Sequence, residues 1–94
     1  MIKKFKEPQI QPLDSIVDVY FDVEIDKDDT RIQTHDLKLD ALSVWVTFLN
    51  YKKDKYLIEI ADEGLGVGSF VFTDEEKVKV MSHIEEKMNE IEWE

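Results

Sequence analysis

The segment from Ile16 to Asp26, IVDVYFDVEID, constrains the fold of this chain more than any other, because apolar and polar residues alternate along it. This two-residue period is that of a β-strand, whose successive side chains leave opposite faces. The apolar set is predicted to face a core and consists of Val17, Val19, Phe21, Val23 and Ile25. The other set is predicted to form an outward row with four carboxylates and consists of Asp18, Tyr20, Asp22, Glu24 and Asp26.

Length and composition predict one small folded domain. With 94 residues, the chain buries a modest fraction of its surface and has little room for a deep active-site cavity. Hydrophobic residues make up 43% of the chain, which is enough for a core although 36% of the residues are charged. The chain has no cysteine, which excludes disulfides and thiolate metal sites and favours a reducing, cytoplasmic location. No segment has the length of a membrane span.

The charge balance narrows the class of partner. The formal net charge is -10, with 22 acidic and 12 basic residues. Such a charge repels nucleic acids and anionic membranes and favours encounters with basic surfaces. Direct binding to DNA, RNA or a membrane is therefore not expected.

The rest of the chain predicts an antiparallel sheet. Residues 1–14 contain two prolines and no consistent apolar period, so they are expected to form an extended, loosely held N-terminal arm before a domain at 15–94. Further strands are expected at 42–50 and 56–61, on either side of a YKKD turn. Two short strands, TRIQT with Ile32 facing the core and SFVFT after a glycine-rich turn, complete this prediction.

The C-terminal segment changes to a helical period. Its predicted buried face consists of Val78, Met81, Ile84, Met88 and Ile91, spaced by three or four residues. Thr73 and Glu76 fit a capping box, which predicts a helix over residues 74–91. The expected fold class is therefore α+β, an antiparallel sheet of four or five strands with one C-terminal helix packed on one face. The other face of the sheet is left without a helix.

The segment DEGLGVG, residues 62–68, resembles the nucleotide-contacting glycine box of the ATPase family that includes the histidine kinases. That family also has an upstream helix with a glutamate and an asparagine and a later glycine-rich lid, whereas here strands are predicted upstream. A glycine turn between strands is the favoured interpretation.

The other candidates for chemistry are the two histidines and an acidic run. His35 and His83 lack neighbours that would complete a zinc site. We expect His35 in a surface loop and His83 on the polar side of the helix. The DKDD run lacks the ligand spacing of a calcium loop and is interpreted as a solvated hairpin turn. No catalytic residue, metal or cofactor is predicted, and the protein is not expected to be an enzyme.

The outward row has two interpretations, which the sequence leaves open. It is either an ordinary solvated sheet face or a surface for a basic partner. The second is favoured because the four charges of the row share one sign, with Glu59 outward on the fourth strand and no lysine interleaved. Same-face carboxylates on a strand lie about 6.8 Å apart, every second step of the roughly 3.4 Å phosphate repeat of one DNA strand. Tyr20 and Trp45 would supply aromatic anchors.

The leading hypothesis is therefore a small acidic interaction protein that inhibits a basic, nucleic-acid-handling partner by presenting carboxylates where phosphates would bind. In size and composition it resembles the small acidic inhibitors of phages and mobile elements, including anti-restriction and anti-CRISPR proteins, and the immunity proteins of nuclease toxins. The alternative is a homodimeric scaffold protein that pairs through Trp45, Leu49 and Leu57 on the uncovered face.

Overall fold

Six strands form one antiparallel sheet in the computed structural model, which describes residues 2–94. The elements in chain order are β1 (Ile2–Phe5), β2 (Gln9–Pro12), β3 (Ile16–Ile25), α1 (Thr30–Thr34), β4 (Leu42–Leu49), β5 (Tyr56–Asp62), β6 (Leu65–Val67) and α2 (Asp74–Met88). One edge of β3 pairs with β4, which is followed by β5 and β6, and the other edge pairs with both β1 and β2. The predicted α+β class is confirmed, with more strands than the four or five expected.

The alternation along β3 places this strand at the centre of the sheet. Val17, Val19 and Phe21 are buried, and Val19 and Phe21 lie opposite Val46 and Val44 of β4. Since both strands place these side chains on the same face, their apolar rows form one layer of the core. The predicted core face of β3 is confirmed.

The N-terminal segment is attached more firmly than the sequence predicted. The described residues of the expected arm, 2–14, are extended, but β1 and β2 both pair with β3, and Ile2 is buried. An irregularity in pairing between Ile2 and Lys4 shifts the phase of β1, so Ile2 and Phe5 both reach the core although their spacing is odd. This bulge hides the strand period, and the expectation of a loosely held arm is corrected. Met1, the first residue of that arm, lies outside the described residues.

Two short elements differ from the prediction. TRIQT forms the helix α1 instead of a strand, because the Asp29 side chain accepts a hydrogen bond from the Arg31 N–H and caps the first turn. Ile32 faces the core as predicted. SFVFT has no strand pairing, and β6 takes the sheet edge after a two-residue turn in which Glu63 and Gly64 have φ of 52° and 83°.

The start of α2 is confirmed, but its buried face is rotated from the prediction. Thr73 and Glu76 form the capping box, and the helix ends at Met88, before the expected residue 91. Its buried residues recur every four positions and are Glu76, Val80, Ile84 and Met88. Ile84 and Met88 are buried as predicted and Met81 is half-buried against the core, whereas Val78 is 67% exposed and its assignment to the buried face is corrected. Both Val78 and Val80 are apolar, and the apolar period alone therefore does not fix the phase.

The sequence predicted His83 on the polar side of α2, but the structure places it against aromatic residues. Its ring packs edge-on against Phe5 and Phe21, with centroid separations of 5.2 and 4.7 Å. Its Nε2 lies 2.6 Å from the carbonyl oxygen of Lys6. The helix thus contacts β1 through His83. Over residues 2–94, no helix is long and apolar enough to cross a membrane.

Candidate interaction surface

The sheet face turned away from the core is called here the open face. Both helices place their buried side chains in the core, on the opposite side of the sheet. The open face consists of Lys4 of β1, Gln9 and Gln11 of β2, Ile16, Asp18, Tyr20, Asp22 and Glu24 of β3, Ser43, Trp45, Thr47 and Leu49 of β4, Leu57, Glu59 and Ala61 of β5, and Gly66 of β6. It includes all but one of the seven residues predicted for partner binding, the exception being Asp26, which follows the end of β3.

An aromatic pair occupies the middle of the open face. Tyr20 and Trp45 are cross-strand partners, and their rings stack with centroids 4.2 Å apart and planes 12° from parallel. The Trp45 Nε1–H donates to Ser43 Oγ at 2.9 Å, and this hydrogen bond restricts the orientation of the indole ring. The pair is half-buried by its neighbours without any helix above it. The sequence predicted both residues for this face, and the structure brings them into contact.

The carboxylates of the predicted row have different surroundings. Asp18 is half-buried and accepts a hydrogen bond from Thr47 Oγ1 at 2.8 Å, and Asp22 is exposed opposite Ser43. At the other end, Glu24 lies opposite Lys4, and the Lys3 Nζ is 3.5 Å from Asp26 Oδ1. The expectation of a row without interleaved lysines is therefore corrected, because β1 brings two lysines to that end. The prediction missed them because it did not pair the arm with β3.

A shallow depression of about 320 Å³ lies beside the aromatic pair, between β4, β5 and the turn to β6. It is lined by Ile16, Asp18, Trp45, Thr47, Leu57, Glu59, Ala61, Gly64 and Gly66. Glu59 is exposed, and its Oε1 would lie 1.7 Å from a Cβ placed on Gly66. The glycine therefore makes room for the Glu59 carboxylate. Glu59 was predicted from the sequence as a binding residue, whereas Gly66 was predicted only as part of a glycine turn.

A second group of charges, called here the Arg31 cluster, joins Asp29, Arg31 and Glu76 on the other side of the molecule. Arg31 makes a two-bond contact with each carboxylate, at 2.7 and 2.9 Å to Asp29 and at 2.7 Å twice to Glu76. Its Nη1 also donates to the Val71 carbonyl at 2.8 Å, and its guanidinium lies 4.4 Å from the Phe70 ring centroid. Glu76 further accepts from the backbone N–H of Ile2. The cluster thus connects α1, α2, β1 and the segment before α2.

The pairing in the Arg31 cluster lowers the pKa of both carboxyls. Hydrogen bonds from the Arg31 side chain hold the pKa of Asp29 well below its usual value, against the opposing effect of burial. Burial acts to raise the pKa of Glu76, but hydrogen bonds from Arg31 and from the N–H groups of Thr73 and Ile2 outweigh it and lower the pKa to about 2. The same bonds, first to Glu76 and then to Asp29, raise the pKa of Arg31. All three groups are therefore charged at neutral pH and serve to hold elements together.

Sequence reasoning missed the Arg31 cluster. Asp29 belongs to the DKDD run, which was interpreted as a solvated turn, and Arg31 was assigned to a strand. The available signal was Asp29. An aspartate in this position, followed by Arg31 and the apolar Ile32, is compatible with a helix N-cap.

Two other candidates for chemistry have simpler surroundings. His35 Nδ1 lies 3.3 Å from Ser69 Oγ at an exposed site, and its ring packs at 6.0 Å from Phe70. A catalytic serine needs a base whose ring is held by a further hydrogen bond, and the contact with Phe70 is not one. Among residues 2–94, no group of three or more histidine or acidic side chains could hold a metal ion.

The open face is therefore the strongest candidate site, on the evidence of its half-buried aromatic pair and the exposed carboxylates of Asp22 and Glu59. Comparison of the chain with protein-family models, with curated proteins and with solved structures gives no match to any of them.

Proposed function

We propose that this chain is a small interaction protein that binds a basic protein surface through its open face. The observation that supports this is the stacked pair of Tyr20 and Trp45, flanked by the exposed carboxylates of Asp22 and Glu59. Among residues 2–94, neither of these two carboxylates forms an ion pair. These charges are available to a partner.

The arrangement resembles that of protein-binding surfaces in physical terms. Large aromatic side chains supply much of the binding energy at interfaces because they bury a large area at low entropic cost. Acidic groups around them accelerate association with a basic partner and select against acidic ones. With a net charge of -10, the whole molecule contributes to this attraction.

The finer proposal is that the partner handles nucleic acid and that binding inhibits it. Asp18 and Asp22 lie on alternate outward positions of the same strand, with Tyr20 between them. Carboxylates repeated along a strand can occupy positions that phosphates take in a basic groove. In size and composition the chain resembles the small acidic inhibitors of phages and the immunity proteins of nuclease toxins. Glu24 and Asp26 contribute less here because Lys4 and Lys3 lie beside them.

The test is a capture experiment with lysate from the native host at low and high salt. The bait is compared with a double variant, Asp22→Asn with Glu59→Gln, and with a control that removes two exposed carboxylates from α2, Glu85→Gln with Glu86→Gln. We expect a basic partner to be retained at low salt by the parent and the control, and to be lost at high salt or with the double variant. Recovery of no partner that depends on Asp22 and Glu59 would contradict the proposal.

A homodimer through the same face is the second candidate, and a specific observation favours it. Leu57 is 59% exposed and Leu49 is 37% exposed, on the same side of the sheet as Trp45. An apolar interface between copies would bury these side chains and would persist at high salt. Sedimentation at increasing protein concentration in 1 M salt distinguishes the two candidates, since a partner-binding monomer stays monomeric under these conditions. Absence of enzymatic activity, absence of a cofactor and a cytoplasmic location remain predictions of the same proposal.

A further inference from the structure

We propose that the depression beside Trp45 is a binding site for an arginine side chain of the partner. This inference rests on the proposed function and specifies the chemistry that the open face recognises. It is based on three features of the depression: its aromatic wall, its two carboxylates and the glycine that makes room for one of them.

The aromatic wall is the indole of Trp45. One face of this ring is covered by the stacked Tyr20, which does not line the depression, whereas Trp45 does. Trp45 therefore contributes to the depression a part of its ring that Tyr20 does not cover. A guanidinium stacks favourably on an indole face, because the negative electrostatic potential of the ring attracts the planar cation.

Two carboxylates lie on the boundary of the same depression. The Asp18 carboxylate accepts a hydrogen bond from the Thr47 hydroxyl, and the Glu59 carboxylate has neither a hydrogen bond nor an ion pair with any residue from 2 to 94. No lysine or arginine is among the described residues that line the depression. A site with uncompensated negative charge beside an aromatic ring is complementary to a cation, whereas a neutral donor gains less from it and an anionic group is repelled.

Gly66 determines where the Glu59 carboxylate lies. A Cβ at this position would be 1.7 Å from Glu59 Oε1, and the next nearest atom would be the Glu59 Cδ at 2.8 Å. An alanine at position 66 would thus displace the end of a flexible side chain and leave the backbone in place. Among the three glycines of the chain, only Gly64 has a positive φ, so Gly66 is not required for the conformation of its strand. Because Gly66 has no side chain, the Glu59 carboxylate can occupy the space above it.

The flat geometry of the ligand favours arginine over lysine. The depression is open to solvent and has a volume of about 320 Å³, which leaves room for the end of a long side chain. Arginine can stack on Trp45 and donate two hydrogen bonds to Glu59 at once, whereas the ammonium of lysine is a compact charge that keeps its hydration. The partner is therefore expected to present an exposed arginine.

The inference can be tested on the isolated protein by NMR titration with Nα-acetyl-arginine amide, with Nα-acetyl-citrulline amide as the neutral isostere and ionic strength held constant with sodium chloride. We expect saturable shifts at the Trp45 indole N–H and at the amides of Glu59 and Gly66 with the arginine probe only. The Trp93 indole donates to the Met88 carbonyl and serves as an internal control that should not move. Equal responses to the two probes would overturn the proposal.

Three variants make the test specific. Glu59→Gln and Gly66→Ala should each weaken the arginine probe by at least about threefold, the first by removing the charge and the second by displacing it. Glu85→Gln on α2 should leave the titration unchanged. Affinity that is the same in Glu59→Gln and the parent would show that the carboxylate does not bind the probe.

The outcome also distinguishes this inference from the proposed function. If a basic partner is captured and is weakened by Asp22→Asn but not by Gly66→Ala, the open face is the interface and the arginine site is wrong. If the arginine probe binds as described but no basic partner is captured, the proposed function fails while the site remains.

Discussion

The Arg31 cluster and the open face use the same acidic residue types in opposite ways. In the cluster, Asp29 and Glu76 have side chains only 6% and 5% exposed and share one guanidinium. On the open face, Asp22 and Glu59 are exposed and have no cation. Burial makes an unpaired charge costly, so the first pair of carboxylates is held by Arg31, whereas water stabilises the second pair without a partner. A formal net charge therefore does not indicate which acidic residues are available for binding.

The first prediction concerns the buried face of α2, which packs on the core side of the sheet, and its expected effect is the largest. Val80→Asp places a charge at a fully buried position of α2 and should reduce the free energy of unfolding by about 4 kcal/mol or more. Val78→Asp, two residues away, is exposed and should change it by less than about 0.5 kcal/mol. Urea denaturation of both variants is the measurement. Similar losses in the two variants would show that the buried face of α2 is assigned incorrectly.

The second prediction compares a buried ion-pair group with an exposed one. Arg31→Ala leaves two carboxylates with little exposure and no cation, and should cost about 3 kcal/mol of stability. The control is Lys38→Ala, which breaks the pair between Lys38 and Glu63, whose side chains are 61% and 55% exposed, and should cost less than about 1 kcal/mol. Chemical denaturation measures both. A cost for Arg31→Ala no larger than that of the control would mean that solvent screens the cluster.

The third prediction concerns the pH dependence of the cluster. The pKa of Glu76 is lowered from 4.5 to about 2, because the folded protein stabilises the ionised carboxylate through Arg31 and two backbone N–H groups. Its contribution to stability is therefore fully present above about pH 4.5 and decreases as the pH falls toward 2. We expect the stability difference between the parent and Glu76→Gln to be largest above that value and to shrink in acid. Thermal melts of both proteins from pH 7 to pH 2.5 provide the measurement, and a pH-independent difference would contradict the assignment.

The fourth prediction has the smallest effect on stability. Asp22→Asn with Glu59→Gln should change the free energy of unfolding by less than about 0.5 kcal/mol, because neither carboxylate is buried or paired. The same double variant is expected to weaken binding to a basic partner, so stability and binding respond differently. Calorimetric unfolding provides the check. A substantial loss of stability would mean that the open face contributes to the fold and that the contrast with the Arg31 cluster is wrong.

The sequence predicted those parts of the fold in which periodicity and burial coincide. The strict alternation of β3 and β4 identified both faces of the sheet, and the Thr73 and Glu76 capping box located the start of α2. These signals are local, and each depends on only a few neighbouring residues. The same alternation placed Tyr20 and Trp45 together on the open face.

The remaining features depend on contacts between distant residues. The bulge in β1 removed the period by which its attachment could have been recognised, and that attachment brings Lys3 and Lys4 beside the acidic row. Similarly, the buried position of Glu76 on α2 depends on Arg31, 45 residues away. Without these pairings, Val78 was placed on the buried face of α2 instead of Val80, and the lysines beside the acidic row of β3 were missed.

The hydrogen bond from the Ile2 N–H to Glu76 also has a consequence for how the protein is made. It joins residues 74 positions apart, and the core beneath it is closed by Val80 and Ile84 of α2. During synthesis, the apolar rows of β3 and β4 therefore leave the ribosome well before the helix that covers them. We expect the nascent chain to remain incompletely folded, and open to chaperones or self-association, until α2 has emerged and the first strand can dock against it.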